Sequence, residues 1–133
     1  MKFLLDTNVC IRLMRGDEVV RENLRQATPD DCAVSMITVF ELFAGVERCA
    51  DPEKESIKVK RLLSAFHLLP FDWDSALRSA TIRWQLEKSG QPIGPYDLQL
   101  AGQALALELT LITHNTREFS RVSALSYEDW QTA

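Results

Sequence analysis

Three acidic residues stand at points of the sequence where an α/β fold would bring them together. Asp6 ends the short apolar run Phe3–Leu5, Glu41 lies near the start of an apolar helical segment, and Asp97 follows closely after Pro95. In open α/β sheets, ligands bind beyond the carboxyl ends of the strands, where the following helices also begin. We therefore expect the three carboxylates to meet at one edge of a sheet.

The chemistry of such a cluster follows from its charge. Carboxylates gathered at a buried edge repel one another and take up protons. A hard divalent cation removes this conflict, since Mg²⁺ and Mn²⁺ prefer oxygen ligands and keep waters for chemistry. Such an ion lowers the pKa of a bound water and holds a phosphodiester in line for attack. The acids thus predict metal-assisted hydrolysis that needs no histidine base.

Each acid also has a simpler explanation at the end of a helix. Thr38 and Glu41 have the spacing of a capping box. The dipole of a helix starting at Pro95 would favour Asp97, and Asp6 would serve as the cap of the first helix.

Two observations favour a shared site over separate caps. Glu41 is the only charged residue between Met36 and Val46, and an unpaired charge in so apolar a helix would be costly to bury. Asp97 shares a helical stripe with Ala101 and with the apolar residues beyond it, so its side chain should lean towards the core.

Two further polar residues are expected at the same edge. Asn115 and Glu118 follow a strand that is predicted to end at Thr113. Their spacing is also compatible with a cap of a short helix, so this pair alone does not decide between the two explanations.

Short apolar runs that alternate with helical patterns predict an α/β fold with a mainly parallel sheet of four to five strands flanked by helices. Strands are predicted at residues 3–5, 32–35, 67–71 and 109–113, with a further short strand or helical turn before Trp130. Helices are predicted at residues 9–14, 18–26, 36–48, 52–66, 73–88 and 95–107, with a turn or short helix at 114–119. With no linker or repeat, residues 1–133 are expected to form a single domain.

Two helices carry predictions about packing. In the helix at 73–88, the apolar spacing places Trp73 and Trp84 in the core. The helix at 36–48 is apolar on nearly every side, which predicts burial in a core or in an interface with a partner.

Composition excludes several classes of protein. The chain has 133 residues, of which 46% are hydrophobic and 26% charged, so it is neither disordered nor of low complexity. No apolar run approaches the roughly 20 residues of a membrane helix, and Met1 leads straight into a strand without a signal peptide. The three cysteines lack metal-binding spacing and are expected as small buried residues of a cytoplasmic protein.

Because the net charge is −4, any binding of nucleic-acid phosphates must come from a local basic patch. Arg12, Arg15, Arg21 and Arg25 would be candidates for such a patch. At least half of them are more simply explained as solvated helix residues paired with neighbouring acids.

Four segments together resemble one protein family. They are Leu4–Asn8, Thr38–Leu42, Ile93–Ala101 and Leu111–Phe119, and they resemble in order the PIN domain family, and within it the VapC-type toxins of bacterial toxin–antitoxin pairs. The resemblance implies a Rossmann-like three-layer sandwich and an endoribonuclease that depends on Mg²⁺ or Mn²⁺. It also implies an RNA substrate, a VapB-like antitoxin that blocks the site, and a homodimer within a larger toxin–antitoxin assembly.

The resemblance also implies roles for individual residues. Asp6 and Asp97 match acids that bind the metal directly, and Glu41 matches one that binds the metal or its water. Many family members have a fourth acid where this chain has Asn115, so Asn115 or Glu118 would complete the site. Hydrogen bonds that orient the acids would come from Thr7, Asn8 and Thr113.

Three other functions are compatible with parts of the sequence. A PIN-like domain without catalysis would bind RNA or protein, and Asn115 in place of an acid is the best support for it. A receiver or phosphatase domain would use Asp6 as phosphoacceptor, yet Asn8 stands where a second acid belongs. A DNA nuclease with a related core is poorly supported by so short a chain.

Overall fold

The computed structural model describes residues 1–131, and within them five strands form one sheet in the order β3-β2-β1-β4-β5. Every strand pair is parallel. The strands are β1 (Phe3–Leu5), β2 (Cys32–Ser35), β3 (His67–Leu69), β4 (Thr110–Ile112) and β5 (Tyr127–Glu128). The helices are α1 (Thr7–Met14), α2 (Glu18–Ala27), α3 (Met36–Arg48), α4 (Pro52–Leu63), α5 (Trp73–Lys88), α6 (Pro95–Ala106) and α7 (Thr116–Phe119), with a 3₁₀ turn at Pro29–Asp31.

The central strand β1 separates two hydrophobic layers because successive side chains of a strand point to opposite faces. Leu5 packs into a cluster with residues of α1 to α4, and Leu4 packs into a second cluster with residues of α5 to α7. Both side chains are fully buried. The predicted α/β sandwich is therefore confirmed, with the sheet between two layers of helices.

The predicted elements are present, with small differences at their ends. Helix α1 begins at Thr7 because Asp6 caps it, and α4 ends at Leu63. Strand β3 stops at Leu69, just before Pro70, which cannot donate a ladder hydrogen bond. The strand before Trp130 is β5, which pairs with β4 at the edge of the sheet.

The prediction that the tryptophans of α5 lie in the core is wrong. Trp73 is 76% exposed and Trp84 is 60% exposed. The buried stripe of α5 consists instead of Ser75, Ser79, Ile82 and Leu86. This stripe packs against α6, where the small side chains allow the two helices to approach closely.

Helix α3 is buried on one side only. Thr38, Leu42 and Val46 face the core, whereas Met36 and Phe40 are exposed. Its apolar surplus is therefore not fully covered by this chain.

Two predictions from composition can be compared with the fold. Cys10 and Cys32 are buried as expected, whereas Cys49 is half-buried, and all three are free thiols. In the part of the chain that the structure describes, no helix is both long and apolar enough to cross a membrane.

The contact between α5 and α6 gives a test of the packing. A methyl group on Gly102 would overlap Ser79 Oγ and lie 2.8 Å from the Ser79 backbone nitrogen, so the helices would have to separate. We expect Gly102→Ala to lower the free energy of unfolding by about 2 kcal/mol or more in chemical denaturation. Gly45→Ala is the matched control, because nothing lies within 4 Å of the added methyl group. It should stabilise α3 by about 0.5–1 kcal/mol, and equal effects of the two substitutions would contradict the close contact.

Candidate functional site

The carboxyl ends of β1 and β2 open into a groove of about 640 Å³. Helices α1, α3 and α4 form its walls, and the first turn of α6 closes one end. Its lining includes Asp6, Glu41 and Asp97, which are far apart in the sequence. The structure thus brings the three predicted acids to one groove, as expected from parallel strands.

Asp6 is the most buried of these acids. Its Oδ1 accepts a hydrogen bond of 2.9 Å from the Val9 backbone N–H, so Asp6 does cap α1. Burial raises its pKa, and the charge of Glu41 adds to this effect. Hydrogen bonds from the Thr113 hydroxyl and the Val9 amide act in the opposite direction. Asp6 can therefore cap α1 and also line the groove, because the hydrogen bond to the helix uses only one of its two carboxylate oxygens, Oδ1.

Glu41 does not belong to a capping box. Ser35 caps α3 by accepting a hydrogen bond of 3.0 Å from the Ile37 amide, so Glu41 lies in the second turn and faces the groove. Its Oε1 accepts a hydrogen bond of 2.7 Å from the Thr7 hydroxyl. The Thr38 hydroxyl lies 3.1 Å from Thr7 Oγ1. Since Thr7 has one hydroxyl proton and gives it to Glu41, Thr38 must donate to Thr7.

Asp97 shares its surroundings with a second acid. It lies in the first turn of α6, and Asn115 Nδ2 lies 3.5 Å from its Oδ2 and 3.1 Å from Glu118 Oε2. Burial raises the pKa of Asp97 to about 6, helped by a hydrogen bond and charge repulsion from Glu118 and by the charges of Asp6 and Glu41. Asp97 is therefore partly protonated at mildly acidic pH.

Asn115 connects the two parts of the site. Its backbone N–H donates a hydrogen bond of 3.0 Å to Thr113 Oγ1, and Thr113 donates to Asp6. The side chain of Asn115 therefore faces Asp97 and Glu118 while its backbone supports the partner of Asp6. Asn8 is exposed and lines the groove beside Asp6.

The two histidines lie in other contacts. His114 Nδ1 is 3.0 Å from Asp129 Oδ2 at the surface. His67 Nε2 is 3.0 Å from the carbonyl oxygen of Asp30, a contact that links β3 to the turn before β2.

Positive charge reaches the groove from three helices. Arg15, Arg48 and Lys58 are part of its lining. The other arginines of the early basic series are paired on their own helices or turns, in the ion pairs Arg12–Asp17, Arg21–Glu18 and Arg25–Glu22.

Sequence reasoning missed Arg48, although a signal was available. Arg48 stands one and two helical turns beyond Gly45 and Glu41, respectively, in a spacing that places all three residues on one face of α3. A face that begins at a predicted site acid and ends on a cation is a candidate for phosphate binding.

The donor set fits a hard divalent cation. The carboxylates of Asp6, Glu41, Asp97 and Glu118 offer oxygen ligands, and the side-chain amide of Asn115 lies beside Asp97 and Glu118. Within residues 1–131, no three Asp, Glu, His or Cys side chains are drawn together closely enough to hold an ion as they stand. Repulsion from the neighbouring carboxylates adds to the burial that raises the pKa of Asp97, and a bound cation would relieve this repulsion.

The chain is similar to known proteins of one family. A family model described as PIN domain matches residues 3–125. The chain is 37% identical over 131 residues to the tRNA(fMet)-specific endonuclease VapC of Salmonella typhimurium strain LT2, covering 98% of both proteins. It is 35% identical over 132 residues to ribonuclease VapC1 of Haemophilus influenzae strain R2866, again covering 98% of both.

The fold is also similar to solved structures. A crystal structure of DNA-bound VapBC from Salmonella typhimurium contains a chain that matches with a TM-score of 0.93 and 37% identity. The match covers 98% of each chain.

The charge of Asp97 gives a test of the site without any metal. Because its folded pKa of about 6 lies above its ordinary value of 3.8, the folded state binds more protons between these values, and stability falls as pH rises through this window. In EDTA at pH 8, we expect Asp97→Asn to raise Tm by about 3 °C or more, and to have little effect near pH 4. The exposed acid Glu128 provides a control, Glu128→Gln, which should not change this pH dependence. A lower Tm for Asp97→Asn at pH 8 would contradict the repulsion described above.

Proposed function

The chain belongs to the PIN domain family, and on that premise we propose that it is a metal-dependent endoribonuclease, the toxic component of a toxin–antitoxin pair. The observation that carries the proposal is the convergence of Asp6, Glu41 and Asp97 from three separate elements on one groove. The names of the relatives, an endonuclease and a ribonuclease, support the same reaction.

We assign the metal to the oxygen ligands at the sheet edge. Asp6 and Asp97 would hold Mg²⁺ or Mn²⁺ directly, and Glu41 would hold the ion or a water bound to it. When bound, such an ion supplies charge for the phosphate oxygens and lowers the pKa of an attacking water.

The residues around the acids have separate tasks. Thr7 orients Glu41 through its short hydrogen bond, and Thr113 orients Asp6. Neutral donors of this kind fix the carboxylates without cancelling the charge that a cation needs. Asn8 lies beside Asp6 and provides a further amide for a ligand in the groove.

The groove cations would bind the RNA backbone. Arg15, Arg48 and Lys58 line the same groove as the acids, and Lys58 also pairs with Glu55, so phosphates flanking the cleaved bond would have cationic partners along the groove. This local patch offsets the acidic total charge of the chain.

We propose tRNA as the first substrate to test, because the relative from Salmonella typhimurium is named for cleavage of tRNA(fMet). The VapBC complex among the similar structures supports a VapB-like antitoxin as the partner. The family resemblance is our ground for proposing in addition a toxin homodimer within a larger assembly. A cationic side chain of that antitoxin would be held by the same acids and would block the metal. We propose that residues 1–133 act as one domain in this assembly.

The main prediction is cleavage of RNA that depends on metal and on the acids. Purified, antitoxin-free protein should cut total cellular RNA into discrete fragments with Mg²⁺ or Mn²⁺ and not with EDTA. Asp6→Asn and Asp97→Asn should each reduce the rate at least about 100-fold, since they remove charge from the metal ligands.

Asp74→Asn is the matched control for this experiment, because Asp74 is an exposed acid on α5 and does not line the groove. If the wild-type protein is folded and cuts no RNA with any metal, the result would favour a PIN-like domain that binds RNA or protein without catalysis. Undiminished cutting by both acid variants would refute the metal assignment.

The fourth acid has its own test. We expect Glu118→Gln to weaken Mn²⁺ binding about 10-fold in isothermal titration calorimetry, because the carboxylate beside Asp97 would be lost. Glu128→Gln, at the exposed edge strand, should leave the affinity unchanged. Equal affinities of wild type and Glu118→Gln would exclude Glu118 as a ligand and leave Asn115 as the group at that position.

A further inference from the structure

An exposed aromatic pair lies beside the acids. Phe40 is 56% exposed and Tyr96 is 42% exposed, although both belong to helices whose other faces are buried. Their ring centroids are 5.8 Å apart, and the ring planes are tilted by 57°. Neither ring belongs to one of the two hydrophobic clusters of the core. The pair is therefore not explained by the packing of this chain.

The position of the pair relative to the site is set by the sequence. Phe40 directly precedes Glu41 on α3, and Tyr96 directly precedes Asp97 on α6. The contact between the rings thus bridges the two helices that deliver two of the three acids. The groove lining includes both acids and neither ring, so the rings lie outside the groove and next in sequence to two acids that face it.

This arrangement offers two kinds of contact to a strand that crosses the acids. On the groove side, Arg15, Arg48 and Lys58 would bind the phosphates of the strand. On the other side, exposed ring faces are suited to an unpaired base, since bases of single-stranded RNA stack on Phe and Tyr side chains. A tilted pair leaves part of each ring face open, whereas a parallel stack would cover one face of each ring.

We propose that Phe40 and Tyr96 form a stacking platform for an unpaired base next to the cleaved bond. The proposal rests on the nuclease function above and narrows its substrate to RNA whose cleaved bond lies in a loop or another single-stranded segment. A base paired within a helix is stacked on its neighbours and cannot reach the rings. The platform therefore selects the cleavage site by its accessibility.

The size of the patch favours a base over a protein partner. A stable protein interface buries about 800 Å² on each side, and on α3 and α6 only Met36, Phe40 and Tyr96 are exposed large apolar residues, which is a small part of such an area. It is also bordered by Glu41 and Asp97, and charged residues are depleted at the centre of protein interfaces.

The test compares two substrates and two kinds of variant. The substrates are an RNA hairpin that the wild-type protein cuts in its loop, and the same hairpin with an abasic nucleotide beside the cleaved bond. The variants Phe40→Leu and Tyr96→Leu keep apolar volume and lose the ring, whereas Phe40→Tyr and Tyr96→Phe keep a ring.

On the intact hairpin, we expect each Leu variant to reduce kcat/KM by about 5- to 150-fold, the range that one stacked base contributes. The ring-preserving variants should remain close to wild type. On the abasic hairpin, wild type and Leu variants should be equally slow, because the base that the rings would hold is absent. A loss of the same size on both substrates, or no loss on either, would overturn the proposal.

Trp84→Leu provides the matched control, since it removes an equally exposed ring from α5 and the Trp84 side chain does not line the groove. Thermal unfolding checks that the variants fold. Sedimentation checks for a protein contact, and a Leu variant that changes the oligomeric state in parallel with its activity would assign the rings to an interface and overturn the proposal.

Measurements of RNA binding distinguish a failure of the stacking platform from a failure of the nuclease function. If wild type cuts no RNA at all, the nuclease function fails, and the platform is tested by fluorescence anisotropy of the labelled hairpins in EDTA. Weaker binding of the intact hairpin to the Leu variants, with no such difference on the abasic hairpin, would support the platform by itself. Unchanged binding would refute it.

Discussion

Repulsion among carboxylates at one edge of the sheet is the constraint to which the rest of the site responds. Asp6, Glu41, Asp97 and Glu118 come from four parts of the chain, and in residues 1–131 none of the ion pairs involves any of them. Each is held instead by a neutral donor: a threonine hydroxyl, an amide side chain or a backbone N–H. The acids are thus fixed in place with their charge uncompensated, which lowers the stability of the metal-free protein and leaves the site suited to a cation.

The cost of this arrangement is offset by the two apolar layers. Leu4 and Leu5 anchor β1 between them, so the strand that precedes Asp6 is held by both hydrophobic layers at the centre of the sheet. The close approach of α5 and α6 at Gly102 in turn fixes the helix that carries Asp97. Precision at the site therefore derives from packing on both faces of the sheet, at a distance from the charges themselves.

Most of the fold and the grouping of the acids could be predicted because both depend on local pattern and on a general property of parallel sheets. The site acids stand next to strand ends or helix starts, and these positions share one edge whatever the details of packing. The tryptophans of α5 could not be placed by the same logic. Their spacing identifies a helical face, but the serine-containing stripe has a similar spacing, and only contact with α6 decides which face is buried. The sequence alone left two roles open for Glu41, in a helix cap or in the site. The structure decides for the site because Ser35, at the end of β2, is the residue that caps α3.

The pairing of β1 with β4 has a consequence for the timing of activity during synthesis. Asp6 is among the first residues to leave the ribosome, yet its backbone N–H bonds the carbonyl of Ile112 and its side chain accepts from Thr113. Asp97 and Glu118 also lie in the last third of the chain. Since translation proceeds from the amino terminus and non-local strand pairs form only when both strands exist, a nascent chain contains no assembled acid cluster. An unfinished chain therefore lacks the acid cluster on which the proposed cleavage of RNA depends, and an antitoxin would find no completed site before the last third of the chain has emerged.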